Sequence, residues 1–518
     1  MQPIIDKKQE PAWRIRESWR LFIAQLREVS PARWAVVLIV FNTLLSLWYA
    51  AHLQLVPDEA YYWLWSVHPD WSYRDKGPVV AWMIYAGTWL FGSGELGVRW
   101  IGVLFGAGTS WQIFLLARRL FDERTALWCV VLALITPLFA IGSILITIDT
   151  FSVFFWAWGC NLFLDGLAEN SRRDWLLLGL AVGLGFLSKF TNAMQFVSIA
   201  LFALWYRPAR PLLTRPWKNP GLIYSGLVFL LCCLPLLYWD YVHHWPHYVA
   251  LHSRSGLDQG FQFRPGELLK YLVDQGMALS PLLFIGLLGA LAGGCWLNRQ
   301  SYAIRFLLSM TLPLIVTVLF FSLSVAGKGN WIAPGLVTGL ILMVVIWRQW
   351  SSTSRWLRAA ALLGLSLALA ETVVLHNTSW LSPVLKKDPL SRVKGWREMS
   401  REVLRQELIL HPDFIICNHY GVASELAFYL PEQPVKSIFT ATSASMDNQF
   451  YFWPGYAEKI GYGTRAFYVT DDADHVNPVF YREFDKVSLA GDFTIKERGF
   501  AVRRVQIYLL QKGKVNEL

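Results

Sequence analysis

The chain has 518 residues, of which 54 % are hydrophobic, 15 % are aromatic and only 16 % are charged. Charged residues make up about a quarter of an ordinary globular protein, so this composition excludes a soluble monomer and indicates a polytopic α-helical membrane protein. The formal net charge is +10, but the basic residues lie in short clusters between apolar runs rather than in one stripe. This distribution is typical of membrane topology signals and excludes a nucleic-acid partner.

The N-terminal part of the chain divides into a polar leader and a long apolar domain. Residues 1–33 are polar, basic and amphipathic, and we expect them to be a cytoplasmic segment rather than a cleavable signal peptide. A helix needs about 20 apolar residues to cross the hydrocarbon core. By that measure residues 34–375 contain about eleven transmembrane helices, predicted at 34–54, 99–117, 125–142, 150–168, 174–188, 191–206, 221–239, 277–297, 303–323, 330–347 and 356–375.

The segment 79–93 is apolar but short, and its assignment decides the topology of everything after it. We predict outer juxtamembrane helices at about 58–93, with 79–93 lying along the membrane or dipping into it. The arginine clusters then all fall on one side, and the opposite loops carry few basic residues, namely Arg74, Lys76, Arg254, Arg264, Lys270 and Lys328. The positive-inside rule therefore places the N-terminus in the cytoplasm and the tail from residue 376 outside.

The tail at 376–518 has the composition of a soluble domain. Alternating helix and strand patterns predict a small extracytoplasmic α/β domain, with helices at Arg392–Leu410 and Val422–Leu430 and strands at Phe414–Cys417, Arg465–Thr470 and Phe500–Gln511. Cys417 is its only cysteine, which excludes an internal disulfide. Asn418–Glu425, at a strand-to-helix junction, is interpreted either as a ligand site or as a capped turn.

Two adjacent carboxylates follow the first predicted span. Asp58 and Glu59 begin an aromatic-rich segment, Glu59–Val67, that is typical of a helix lying on the membrane. Ionisable groups near lipid are costly, about 2.5–3.5 kcal/mol each at mid-depth, and so indicate function. A helix N-cap at Asp58, after Pro57, explains the acids equally well. Both interpretations stay open.

Three further charged residues precede the short apolar segment. Arg74, Asp75 and Lys76 lie where lipid head groups begin, and they fit either a phosphate site or ordinary interfacial snorkelling. Asp149 differs from them because apolar sequence flanks it on both sides. A surface loop does not require such an acid, so a functional role is favoured.

Other outward turns carry weaker signals. Lys189, and Lys328 near Asn330, are each typical of an ordinary loop lysine when considered singly. Three histidines have a spacing that suits a metal on a helix, but a proline interrupts that helix, and a solvated loop with snorkelling side chains is favoured: His243, His244 and His247.

These elements form an ordered set: Asp58-Glu59 after the first span, Lys76-Gly77-Pro78 before a short apolar segment, Ala117–Phe121 closing the next span, Asp149 opening the fourth and Leu187–Thr191 after the fifth. The set, over residues 30–350, resembles the protein O-mannosyltransferase superfamily of membrane glycosyltransferases with the GT-C fold. It resembles in particular the bacterial branch that contains the lipid A aminoarabinose and galacturonic acid transferases.

The resemblance implies an enzyme of the bacterial inner membrane that uses an undecaprenyl- or other polyprenyl-phosphate-linked sugar as donor. The implied acceptor is lipid A, the lipopolysaccharide core or another envelope glycolipid, and the C-terminal domain is expected to guide it. Membrane lipids are the remaining partners. The residues require no cofactor or metal, and a divalent cation is compatible with them.

The resemblance also assigns roles to residues. Asp58 is the catalytic base of an inverting single displacement, and Asp149 and Glu59 orient the site. The expected substrate-binding residues are Lys76 and Arg74 at the phosphate, together with Tyr61, Tyr62, Asp75, Lys189 and Lys328. The bacterial branch has a basic residue in place of Tyr61 and Glu in place of Asp75, so Arg74 is expected to supply the missing cation.

Two alternative functions fit a polytopic chain with acids near the membrane. One is protein O-glycosylation, and the other is a flippase or transporter for a lipid-linked sugar. Transporters usually show repeated halves and charges near mid-membrane. No internal repeat is visible here, and the candidate acids fall at one outward face, which favours an enzyme.

Overall fold

Long apolar helices build the first three quarters of the chain. The structure is a computed structural model, and it describes residues 30–254, 260–381, 385, 388–430, 437–441, 447–472, 476–497 and 500–513. Its first helices are α1 Pro31–His52, α2 Pro57–Val67, α3 Val79–Phe91, α4 Glu95–Leu120, α5 Glu123–Ile135, α6 Pro137–Gly142, α7 Ile148–Glu169, α8 Arg172–Ser188, α9 Met194–Trp205 and α10 Pro211–Thr214. The next are α11 Gly221–Val242, α12 Pro246–Arg254, α13 Pro265–Leu279, α14 Pro281–Trp296, α15 Tyr302–Ser322, α16 Ala333–Thr353 and α17 Arg355–His376. Residues 1–29, most of the predicted cytoplasmic segment, lie outside the described residues.

The number of candidate spans is lower than the eleven predicted. Within the described residues, seven helices are long and apolar enough to cross a membrane, namely α1, α4, α7, α11, α15, α16 and α17. The pair α13 and α14, bent by 108°, makes eight if it counts as one span. The other three predicted spans fall on shorter helices, because Pro137 divides the first between α5 and α6 and because α8 and α9 have 17 and 12 residues.

Ion pairs and short contacts show which residues lie at each end of the bundle. Asp149 lies at the start of α7, and Asp165, near its end, pairs with Arg119 at the end of α4. These two positions on α7 are about 24 Å apart along the helix axis. The start of α4 lies at the Asp149 end, because Gly102 of α4 packs against Ile146.

The short helix α3 does not pass from one end of the bundle to the other. At its start, a Cβ on Gly77 would lie 2.0 Å from the Leu187 carbonyl oxygen, so the chain is pressed onto the last turn of α8. Near its end, Gly87 lies just as closely against Gly97, in the first turn of α4. Both contacts are at the Asp149 end, and the juxtamembrane placement of 79–93 stays a prediction.

The tail folds into a domain around a mixed five-stranded sheet. Its strand order is β2-β1-β3-β5-β4, where β1 pairs in parallel with β2 and β3, and β5 pairs antiparallel with β3 and β4. The strands are β1 Phe414–Cys417, β2 Ile438–Thr440, β3 Arg465–Thr470, β4 Lys486–Glu497 and β5 Phe500–Gln511, and the helices are α18 Trp396–Leu410, α19 Tyr420–Tyr429 and α20 Phe480–Glu483. The predicted α/β domain is confirmed as a mixed sheet with packed helices.

This C-terminal domain packs directly on the juxtamembrane helices. A single cluster of buried apolar side chains contains residues of α2, of α3, of α19 and of the sheet. Where α19 meets α2, a Cβ on Gly421 would lie only 2.8 Å from the Pro57 Cβ. Tyr429 of α19 accepts a hydrogen bond from the Leu55 backbone N–H at 2.9 Å. The domain therefore covers the Asp149 end of the bundle.

Candidate active site

Asp58 lies at the junction of the two domains. Helix α2 begins at Pro57 with Val56 as its N-cap, so Asp58 is the second residue of the helix and not the cap that the sequence suggested. The Tyr420 hydroxyl, from the C-terminal domain, donates to Asp58 Oδ1 at 3.1 Å. Arg392 Nη2 lies 3.6 Å from Oδ2. The Asp58 side chain keeps 39 % of its surface exposed, so it remains open to a substrate.

The neighbouring carboxylate has a different environment. The Glu59 side chain is fully buried and pairs with the equally buried Arg99, with Arg99 Nε donating to Oε1 at 2.8 Å and Nη2 to Oε2 at 2.5 Å. The backbone N–H groups of Ile146 and Val56 donate to the same two oxygens at 2.8 and 3.0 Å. With four donors on two enclosed oxygens, Glu59 has no face for a substrate. The orienting role expected for Glu59 therefore acts on the start of α2, and not through contact with a substrate.

Asp149 is the centre of a second polar group. Lys189 Nζ donates to Asp149 Oδ1 at 2.6 Å, and Asn330 Nδ2 donates to Oδ2 at 2.5 Å. Lys189 also donates to the Asn330 carbonyl oxygen at 2.8 Å, so the three residues form a closed triangle. The Lys189 side chain is only 10 % exposed. The structure thus places Lys189 as the ion-pair partner of Asp149 and not as an ordinary loop lysine.

Tyr62 is a buried tyrosine whose ionisation is affected by the two carboxylates that remain accessible. It is 8 % exposed, and burial, together with the negative charges of Asp58 and then Asp149, raises the pKa of its phenol well above the ordinary value. A charge acts on a phenol in this way only at short range. Asp58 and Asp149 lie at the same end of the bundle, because Glu59, the neighbour of Asp58, accepts a hydrogen bond from the N–H of Ile146, three positions before Asp149.

The residues around Asp75 connect α2 to the C-terminal domain. Tyr61 donates to Asp75 Oδ2 at 2.9 Å, and Arg74 Nη1 donates to Oδ1 at 2.9 Å. The Gln449 backbone N–H donates to the Tyr61 hydroxyl, and its side-chain oxygen accepts from the Arg74 backbone N–H at 2.7 Å. Burial, followed by the Asp75 charge, raises the pKa of Tyr61 well above the ordinary value, so it stays a proton donor.

A small pocket lies where Lys76 and Lys189 approach one another. Its volume is about 130 Å³, and Asp75, Lys76, Lys189 and His247 supply its ionisable lining. The close packing of Gly77 on α8 brings these two lysines, 113 positions apart, to one pocket. Arg74 is outside this lining, because its guanidinium is paired with Asp75.

A larger cavity of about 380 Å³ begins at Asp149 and Asn330 and continues among apolar side chains. Its lining comes from the middle of α4, from α5, α6 and α7, and from Met277 and Leu375. An apolar cavity with a polar end suits an amphiphilic ligand whose polar group lies at that end.

Two expectations from the sequence do not fit the structure. Lys328 is exposed, within the described residues its side chain makes no hydrogen bond or ion pair, and it belongs to the lining of neither cavity. The favoured solvated loop is wrong for His247, which is 6 % exposed and bonded through Nδ1 to Asp240 at 2.9 Å. Within the described part of the chain, no group of three or more His, Cys, Asp or Glu residues could hold a metal ion.

Sequence reasoning missed three contacts at the site, from Tyr420, Arg392 and Gln449 of the C-terminal domain. The junction Asn418–Glu425 was a signal for the first of them. There the His419 ring caps α19 by accepting from the Gly421 N–H at 3.1 Å, as a capped turn would, and Tyr420 points to Asp58.

Comparison with known proteins gives a consistent set of relatives. Residues 75–239 match the dolichyl-phosphate-mannose-protein mannosyltransferase family. The chain is 24 % identical over 424 residues to the lipid A galacturonosyltransferase RgtD of Rhizobium johnstonii, covering 81 % of this chain and 84 % of the relative. It is 30 % identical over 389 residues to the undecaprenyl phosphate-alpha-4-amino-4-deoxy-L-arabinose arabinosyl transferase of Pseudomonas paraeruginosa, covering 69 % and 67 %.

The fold is similar to solved structures as well. The crystal structure of ArnT from Cupriavidus metallidurans superposes with a TM-score of 0.61 at 17 % identity, covering 92 % of this chain and 98 % of that chain. The structure of the same protein bound to undecaprenyl phosphate gives a TM-score of 0.59, at 17 % identity, with 91 % and 97 % covered. At these identities the similarity shows the fold alone.

Proposed function

Because the chain belongs to the dolichyl-phosphate-mannose-protein mannosyltransferase family, and to its branch of bacterial glycosyltransferases that use polyprenyl-phosphate-linked sugars, we propose that it transfers a sugar from such a donor to lipid A. The galacturonosyltransferase relative is named for lipid A and supports this acceptor. The names of the two relatives leave galacturonic acid and aminoarabinose as the candidate sugars of the donor. The observation that carries the proposed chemistry is the position of Asp58 and Asp149 at one end of the bundle, next to a pocket lined by two lysines.

The donor would occupy the two cavities that meet at the Asp149 group. Its phosphate suits the pocket that Lys76 and Lys189 line, because both side chains are cationic. The apolar cavity that starts at Asp149 has the composition to receive a lipid chain. As the bond between the sugar and the phosphate breaks, negative charge grows on the phosphate, and the lysines stabilise it.

Asp58 is the group best placed to act as the base. It is the more exposed of the two candidate carboxylates, at 39 % against 17 % for Asp149. In the proposed reaction an acceptor oxygen attacks the anomeric carbon from the side opposite the phosphate, which inverts its configuration. Asp58 takes the proton of that oxygen. Asp149, held by Lys189 and Asn330, orients the sugar.

The C-terminal domain would position both the base and the acceptor. Tyr420 holds one Asp58 oxygen, and burial, followed by the Asp58 charge, raises the pKa of Tyr420, which keeps the phenol protonated as a donor. Arg392 is 69 % exposed beside the same carboxylate. An exposed guanidinium at this entrance is suited to the phosphate groups of a glycolipid acceptor.

The test is a transfer assay with the full chain in lipid nanodiscs. Undecaprenyl-phosphate-linked sugar and lipid A are supplied, and both the sugar-bearing lipid A and free undecaprenyl phosphate are measured by mass spectrometry. Asp58→Asn is expected to lower the rate by about 10²–10⁴-fold, the usual contribution of a general base. Asp274→Asn, an exposed acid of α13, is the matched control and should transfer normally.

Three results would contradict the proposal. Near-normal transfer by Asp58→Asn would remove the base assignment. Movement of the intact donor across the membrane without release of undecaprenyl phosphate would indicate a flippase. Unchanged lipid A in a deletion strain, together with loss of sugar from envelope proteins, would indicate a protein acceptor.

A further inference from the structure

The chain reverses direction sharply after α11 and brings a histidine back onto that helix. Helix α11 ends at Val242, and the two residues before Pro246, His244 and Trp245, both have a φ of 62°. Two consecutive left-handed residues with side chains are strained and persist only where the surrounding structure requires them. The Trp245 N–H donates to the Asp240 carbonyl oxygen at 2.7 Å and closes the turn, which sets His247 against α11.

His247 is held by contacts on three sides. Its Nδ1 lies 2.9 Å from Asp240 Oδ1, and its backbone N–H donates to the same oxygen at 3.3 Å. The rings of Trp239 and Phe190 lie with their centroids 5.5 and 5.2 Å from the imidazole centroid. Both members of the pair are buried, with 6 % exposure for His247 and 4 % for Asp240. The ring therefore has one fixed orientation.

The other ring nitrogen, Nε2, bonds to no other described residue. Among the described residues, His247 Nε2 is buried and has no hydrogen-bond partner. Leaving a buried polar atom unpaired destabilises the fold, so such an atom calls for an explanation. His247 lines the 130 Å³ pocket together with Lys76 and Lys189, which places a ligand site next to this ring.

From this geometry we infer that His247, in the imidazolium form, is a third cationic ligand of the donor phosphate, oriented by Asp240. The inference rests on the proposed function, since the phosphate is that of the polyprenyl-linked sugar. A carboxylate only accepts hydrogen bonds, so Nδ1 carries a proton toward Asp240, and the second proton of the imidazolium is on Nε2. The charged groups around the ring are Asp240 behind it and Asp75, Lys76 and Lys189 across the pocket.

The proposed transfer forms one bond at the anomeric carbon and breaks another. The acceptor oxygen forms a bond to the anomeric carbon, and its proton goes to Asp58. The bond from that carbon to the phosphate oxygen breaks, and its electron pair stays on the phosphate, which changes from a singly charged diester to a monoester with up to two negative charges. The Nε2 proton of His247 stays on the ring as a hydrogen bond, and this bond strengthens as the phosphate charge grows.

Two substitutions of His247 test the roles of its two ring nitrogens separately. In His247→Asn the amide nitrogen falls near the Nδ1 position, so the bond to Asp240 is kept and the Nε2 donor is lost. In His247→Gln the amide nitrogen reaches toward the Nε2 position, so a neutral donor remains in the pocket while the bond to Asp240 is lost. His244→Asn is the matched control, because His244 is exposed on the same turn and Asn tolerates its positive φ.

The measurement is binding of undecaprenyl phosphate, with undecaprenol as the phosphate-free probe, to the full chain in nanodiscs. We expect His247→Asn to bind undecaprenyl phosphate about ten- to a hundredfold more weakly, the range for one charged hydrogen bond, with undecaprenol binding unchanged. His247→Gln should lose less, and His244→Asn should bind like the original chain. Thermal unfolding of each variant is recorded alongside.

The relative affinities of the two variants for undecaprenyl phosphate decide the outcome. If the role of His247 is purely structural, His247→Asn should bind undecaprenyl phosphate more tightly than His247→Gln, because only Asn keeps the bond to Asp240. That result would overturn the inference. Original affinity in both variants, or an equal loss for undecaprenol, would overturn it as well. Failure of the proposed function is seen separately, as normal transfer by Asp58→Asn, and leaves these binding data readable.

Discussion

Glu59→Gln is the most informative substitution at the site, because it separates an anchoring role from a chemical one. The change keeps the shape of the side chain. It removes the charge that balances Arg99, whose side chain is 0 % exposed, and it turns one acceptor oxygen into an N–H₂ group. All four partners of the carboxylate are donors, namely Nε and Nη2 of Arg99 and the N–H groups of Val56 and Ile146. The new amide group therefore faces two donors at either oxygen position.

The expected cost follows from this enclosure. Removing one partner of a buried ion pair costs about 3–5 kcal/mol, because the other charge stays buried without compensation. Glu59 also fixes the first turn of α2 to the chain before α7, through Val56 and Ile146. A displacement of about 1 Å at a reacting group can cost about 10²-fold in rate. Loss of stability and loss of activity should therefore appear together.

Thermal unfolding in nanodiscs and the transfer assay measure the two effects in parallel. A double-mutant cycle with Arg99→Met adds the control. The double variant should lose less unfolding free energy than the two single variants together, by about 3 kcal/mol. Original unfolding temperature combined with a large drop in transfer would refute the anchoring role. Glu59 would then have to act on the substrate.

Three further predictions concern other parts of the site. Lys189→Met should lower transfer by at least tenfold, since it leaves Asp149 without its cation, whereas Lys328→Met, at an exposed lysine, should have no effect in the same assay. Gly77→Ala should destabilise the chain by about 1–3 kcal/mol in thermal unfolding, because its Cβ would lie 2.0 Å from a backbone oxygen of α8. Burial, followed by the Glu59 charge, raises the pKa of Glu425, so the stability of the original chain should fall as pH rises above about 4.5, and Glu425→Gln should remove this fall in unfolding scans between pH 5 and 8.

The sign of the Glu425 effect follows from proton linkage. A carboxyl whose pKa is higher in the folded than in the unfolded state binds its proton more tightly when folded, so it favours folding at low pH. Both of its side-chain oxygens are buried without a hydrogen-bond partner among the described residues, which suits a neutral amide. A Gln variant that is less stable than the original chain at pH 8 would contradict this account.

Local patterns predicted much of the fold. The bounds of β1, β3 and β5 match the predicted segments, because alternation and apolar runs are set by each strand's own neighbours. Helix α18 begins at Trp396, later than the predicted Arg392, since Gly395 has a φ of 80° and ends the preceding turn. The count of spans was less predictable, because apolar composition continues through the break at Pro137.

The partners of the site residues could not be predicted, because they lie far away in the chain. Sequence marks Asp58 and Glu59 as a pair, but Arg99, 40 positions later, decides which of them is enclosed. The contact between Asn330 and Asp149 spans 181 positions, and that between Tyr420 and Asp58 spans 362. No local periodicity carries such information. His247 was misjudged for the same reason, since the turn that buries it depends on contacts with Asp240 and Phe190.

The charges of the site match the charges of the proposed reaction. Each of its four carboxylates has a cation beside it, as the pairs Asp58 with Arg392, Glu59 with Arg99, Asp75 with Arg74 and Asp149 with Lys189. Lys76 lies in the pocket proposed for the donor phosphate, and an imidazolium at His247 is balanced by Asp240. On the proposed mechanism the acceptor proton neutralises Asp58 as the departing phosphate gains its second charge. The negative charge that Asp58 loses therefore offsets the negative charge that the phosphate gains, without an ion having to enter from solvent.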